Sequence, residues 1–153
     1  MISKVDSNET KQIVEDIYSY IQSIDLNIDW DFEFIREKAP ALSFKQVSTG
    51  ANKIQQYIAG GYDAEILFIG YHKNQVKDTR QTLNITKPLN DLIQIFEDET
   101  KKNFPNLIIT DESITPVSLE VVSTPEDATG IENNVATYVA TYKLIYHKKG
   151  RFE

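Results

Sequence analysis

Apolar residues first recur at helical spacing. Ile13, Ile17, Ile21 and Ile24 share one side of a helix, with Tyr20 beside them, and Glu15, Asp16, Ser19 and Gln22 occupy the other. Asp6 or Ser7 serves as its cap, Glu9 completes a capping box with Asp6, and Asn27 is a stop. Trp30-Asp31-Phe32-Glu33-Phe34 then alternates as a short strand does, and Lys38-Ala39-Pro40 punctuates the chain. Leu42, Phe44 and Val47 point to a second strand, Ser48 to Asn52 to a turn, and Ile54 to Ile58 to a further extended stretch. After Gly60-Gly61 a long strand runs from Tyr62 to His72. Tyr62, Ala64, Ile66 and Phe68 face one way, against Asp63 and Glu65. Leu67 and Ile69 make its far half apolar on the second face too, so that half is expected to be covered on both sides by helices.

A polar connection, Asn74 to Arg80, follows. A short helical turn near Thr79 to Leu83 precedes a second helix from about Lys87 to Thr100, with Pro88 in its first turn. Leu89, Leu92, Ile93 and Phe96 form its stripe, and Glu97 to Glu99 read as a solvated end. The last third is β. Val117 to Ser123 is one strand. Asn134 to Lys148 is another, with Tyr138, Tyr142, Leu144 and Tyr146 on one face and Val135, Val139 and Ile145 on the other. The loop between them, Thr124 to Asn133, is long and acidic. This order predicts an α+β fold: an antiparallel or mixed sheet with two main helices packed on one face, in a single domain spanning residues 1–153.

Charge narrows the function. A formal net charge of -7 repels phosphate backbones, so general nucleic-acid binding is disfavoured, although a lumen through which DNA slides is not. The absence of cysteine removes disulfides, thiol catalysis and cysteine-bound zinc. The polar N-terminus lacks the apolar core of a signal peptide, and no apolar run approaches the ~18 residues of a membrane span.

Catalytic chemistry is sparse. His72 and His147 each end a strand and lead into basic residues. They read as solvated strand ends, with no third ligand spaced for a metal. The carboxylate runs Glu97-Asp98-Glu99 and Glu126-Asp127 read as solvated. There is no phosphate-cradling loop or nucleophile elbow. The expected protein is therefore no enzyme and takes no cofactor or metal. Gly60-Gly61 reads as a bend, or as a place where another backbone approaches closely. Lys148, Lys149 and Arg151 read as a solvated basic tail. Eight tyrosines suit either subunit interfaces or sheet packing.

Lys53 to Tyr62, read KIQQYIAGGY, and its continuation Ala64 to Tyr71, AEILFIGY, resemble a segment of the tail terminator or minor capsid proteins of tailed phages and prophages of Gram-positive bacteria. Leu89-Asn90-Asp91-Leu92 is similar to that family's second helix. Ser123-Thr124-Pro125, the acidic loop, Tyr138 and Tyr142 to Tyr146 are similar to its closing hairpin. The resemblance spans the first helix to Lys149. It implies a structural virion protein that assembles in the bacterial cytoplasm as a ring, commonly a hexamer. Such a ring caps the head-proximal end of the tail tube, stops its polymerisation and meets the head connector. DNA is then only passing cargo, and no membrane is involved. Another head–tail joining protein or a small non-catalytic binding module are the alternatives. The expected interface residues are Tyr57, Gly60, Gly61, Tyr62, Lys77, Arg80, Glu126, Asp127, Ile131 and Glu132.

Overall fold

The computed structural model describes residues 4–24, 30–33, 41–75, 79–127 and 135–150, with the backbone alone at 48–49, 75 and 79–84. Its elements are α1 (Ser7–Gln22), β1 (Trp30–Phe32), β2 (Ala41–Gln56), β3 (Tyr62–Gln75), α2 (Thr79–Lys101), β4 (Ile114–Asp127) and β5 (Val135–Lys148). Among the described residues the sheet has five strands, in the order β1-β2-β3-β5-β4. β1 runs parallel to β2, and the other pairs are antiparallel, so the sheet is mixed and the fold α+β. Farther along β2, Lys4 bridges Asn52 on the strand's outer side.

Burial follows the pleat. On β3, Ala64, Ile66, Phe68 and His72 are buried, and on β5 so are Ala136, Ala140, Tyr142, Leu144 and Tyr146. All but His72 and Ala136 form one core with Ile13, Val14, Ile17 and Ile21 of α1 and Leu89, Leu92 and Phe96 of α2, while Ala136 packs with Ile85 in a smaller cluster. Phe44, Phe68, Phe96 and Tyr142 stack or meet edge to face at the centre. Gly70 leaves room there, since a Cβ at that position would press on Leu89 and Tyr142. The intervening residues Leu67, Ile69 and Tyr71, with Val139 and Ile145, are only half-buried, so β3 does not become covered on both faces as its sequence predicts.

Several element boundaries differ from the sequence reading, β3 running on to Gln75 and β4 starting at Ile114 among them. The composition of residues 48–52 marks a turn, yet β2 runs straight through it. A register shift between Gln46 and Ala51 absorbs the extra residues, and Gly50 takes φ 67° there. The short turn and the second helix are one 23-residue helix, which places Pro88 in its interior. Two sheet side chains bond to α2 carbonyls on either side of that proline: His72 to Ile85 and Tyr142 to Leu89. Glu126 and Asp127 belong to β4 and not to the loop after it.

β4 is an edge strand, and its free side is interrupted along its length. Pro116 and Pro125 offer no N–H, and the pairing with β5 shifts register three times. Between them, the backbone N–H of Leu119 donates to the Thr100 hydroxyl of α2, and that hydroxyl lies 3.2 Å from the Leu119 carbonyl. No described helix is long and apolar enough to cross a membrane.

Candidate functional site

The hairpin joining β2 and β3 is a hydrogen-bonded apolar knob. The Tyr57 N–H donates to the Gly61 carbonyl at 2.8 Å, and the Gly60 N–H returns to Tyr57 at 3.0 Å. Gly60 adopts φ 92°, which a side chain would resist. The Tyr57 hydroxyl donates to Asp63 at 2.6 Å, and His147 Nδ1 lies 2.8 Å from the other Asp63 oxygen. Burial works to raise the Asp63 pKa. The bonds from Tyr57 and His147 outweigh it and hold the carboxyl below its ordinary value. Gly150 closes the arrangement from the C-terminal side, because a Cβ there would collide with the Ala59 carbonyl and the Gly61 nitrogen. On this scaffold Ile58 is fully exposed, and Ile54 and Tyr57 are 49% and 42% exposed. Loop tips are ordinarily polar, so an isoleucine fully in water stands out here.

Behind the knob, one carboxylate gathers three elements. Glu9 of α1 accepts from the Tyr62 hydroxyl at 2.6 Å and the Tyr146 hydroxyl at 3.0 Å, and Lys148 Nζ lies 3.6 Å away. Lys148 also reaches Asp111 at 2.8 Å and the Ser113 hydroxyl. Bonds from Lys148, then from Ser113, lower the Asp111 pKa to about 2. Burial, reinforced by Glu9, pushes both tyrosines well above the ordinary phenol range, so they stay protonated donors. This network corrects two sequence expectations. Asp6 makes no side-chain cap bond and Glu9 is spent on the sheet, so there is no capping box. Lys148 is an anchored ion-pair member, and Lys149 donates its N–H to Ser113, so this part of the basic tail is not simply solvated. Arg151 lies outside the described residues.

The expected interface residues do not converge. Tyr57, Gly60, Gly61 and Tyr62 lie at the hairpin end, where Tyr62 pairs with Lys148 and Lys148 with Ile114. Glu126 and Asp127 lie towards the opposite end, beside Val139 and Tyr138, which pair with Tyr71 and His72 about 30 Å along β3 from Tyr62, and Arg80 lies in the first turn of α2. Tyr62 is half-buried in the Glu9 network, which makes it a support of the knob and not a contact. Glu126 and Asp127 are exposed. Lys77, Ile131, Glu132 and the Arg80 side chain lie outside the described residues.

Both histidines differ from solvated strand ends. His72 is buried, with Nδ1 bonded to Ile85 and Nε2 without a partner, and His147 is half-buried against Asp63. Glu99 is buried as well, although its run reads as a solvated helix end. It accepts from the Asn106 and Leu107 N–H groups at 2.8 and 2.6 Å and from the Asn106 side chain at 3.0 Å. Among the described residues, no group of three or more His, Asp or Glu is arranged to hold a metal ion. A groove of about 460 Å³ lies between α1 and β2, over Val5, Val14, Tyr18 and Ala51.

Compared with known protein families and with curated proteins, the chain matches no family model and no curated protein.

Proposed function

We propose that this protein is a structural subunit of the tail terminator type. Copies of it form a ring on the head-proximal end of a phage tail tube, end the tube's growth and present the joining surface for the head connector. The observation that carries this reading is the Ile58 knob, a pre-ordered apolar protrusion that gains nothing from water and suits a partner's pocket. Two further features support it. The sheet has two chemically different ends, apolar at the hairpin and acidic at Glu126-Asp127, as an axial spacer between two unlike partners requires. We also read α1 and α2 as lying on one face, which leaves Leu67, Ile69, Tyr71 and Val139 for neighbouring copies. A neck or stopper protein would use the same surfaces. The groove between α1 and β2 favours a second reading, a small binding module.

The test is absolute mass by light scattering across a concentration series, followed by electron microscopy of the protein mixed with tail tubes. The expected outcome is a concentration-dependent oligomer, or density on one end of each tube. Ile58→Asp should abolish either while changing folding stability by no more than about 0.5 kcal/mol, because the side chain is fully exposed. A strict monomer that ignores tube ends and stabilises with a small molecule would replace the ring by the binding module.

A further inference from the structure

A cavity of about 320 Å³ lies between the C-terminal turns of α1 and α2. Its polar chemistry is unbalanced. Glu99 is only 3% exposed, and its three hydrogen bonds all come from neutral amides. No cation pairs with it among the described residues. A buried carboxylate without a counter-charge is costly, and buried charges are ordinarily paired. Tyr20 lines the same cavity. It is 5% exposed, and its hydroxyl has no hydrogen-bond partner. Burial, and then the Glu99 charge, push this phenol above its ordinary pKa, so it stays neutral and its oxygen keeps lone pairs to offer. Asp98 contributes a second carboxylate, one of whose oxygens accepts from Gln94 at 3.1 Å. Ile24 and Ile95 form apolar wall. Thus three oxygen acceptors and a net negative lining open beside aliphatic surface. The Tyr20 hydroxyl, buried and without a partner, calls for a missing one.

We propose that this cavity binds a primary ammonium group carried on a short apolar stem. The three N–H donors meet Glu99, Asp98 and the Tyr20 oxygen, and the stem lies along Ile24 and Ile95. An ammonium suits the cavity better than a metal ion, because among the described residues no third carboxylate or imidazole joins Glu99 and Asp98 as a ligand, while the buried Tyr20 oxygen suits an N–H donor. The ammonium belongs either to a free amine or to a lysine of a second copy.

The test is a titration with n-butylammonium chloride, followed by two-dimensional amide NMR. The Leu107 and Asn106 N–H groups report directly, because both donate to Glu99. Saturable shifts in the millimolar range are expected, and tetramethylammonium, which has no N–H, should give none. Tyr20→Phe separates the proposal from a structural role. It should leave the fold as stable or more so, because an unpaired hydroxyl is removed, while weakening amine binding at least tenfold. Asp98→Asn should weaken it similarly. If butylammonium also lowers the protein's mass in light scattering, the native ammonium is a lysine of a second copy. If the mass is unchanged, it is a free amine. Lys102 lines the cavity too, and Lys102→Ala checks whether the chain supplies its own cation. Binding by that variant alone would overturn the proposal. So would no saturable shift in either form, or equal affinity in Tyr20→Phe.

Discussion

At the scale of single residues, the decisive groups are polar ones that are wholly or partly buried. Glu9 accepts two phenols, so its removal strands two donors at once, while Lys148 keeps Asp111 and Ser113. Glu9→Ala should cost about 2–4 kcal/mol in urea unfolding, and Glu9→Gln, which keeps an acceptor, about half of that. His72 makes the sharper prediction. Burial, only partly offset by the Ile85 bond, holds its folded pKa below the ordinary 6.5. The unfolded chain therefore takes up this proton first as pH falls. The stability due to neutral His72 is complete above pH 6.5 and declines below it, by up to about 1.4 kcal/mol per unit for one proton. Unfolding free energies measured between about pH 7.5 and 5 should show this slope, and His72→Gln should flatten it. The Asp111 contribution lies in a separate window, lost only as pH falls from 3.8 towards about 2. A slope that persists unchanged in His72→Gln would assign it to another group.

At the scale of elements, the hairpin end works as one unit because Gly150 docks on the turn. Gly150→Ala should drive the chain end and the knob apart. Hydrogen exchange at the Tyr57 and Gly60 amides should then rise at least tenfold, while the Phe68 and Tyr142 core amides keep their protection. Equal exchange in variant and parent would show that Gly150 is not what holds the turn. This coupling also marks where the sequence stops being readable. Alternation in Tyr62–Phe68 and Tyr138–Tyr146 identifies the two central strands and their buried faces, because period two is a local property. Residues 48–52 mislead because a register shift can carry turn-like residues inside a strand, with Gly50 supplying its positive φ. Pro88 misleads because bonds from distant His72 and Tyr142 anchor the carbonyls beside it. The burial of Glu99 and the reassignment of Glu9 depend on partners 7 and 8 residues away in one case and 53 and 137 in the other. Neither distance carries a sequence signal.

At the scale of the whole molecule, like charge opposes any association of copies. Each copy carries a formal charge of -7, so neighbouring copies repel at low ionic strength. If apolar contacts through Ile58 drive association, raising salt from about 20 to 300 mM should strengthen it by screening that repulsion. Weakening by salt would instead point to ion pairs as the main contact. Assembly must also be kept separate from a hazard that every long strand brings. A five-stranded sheet that ends in 14-residue β4 could in principle go on adding strands from other copies without limit. Its edge is broken at Pro116, occupied by the Thr100 hydroxyl at Leu119, disrupted by three register shifts and broken again at Pro125. Strand addition along β4, and with it the route to amyloid-like fibres, is therefore obstructed along the length of this edge.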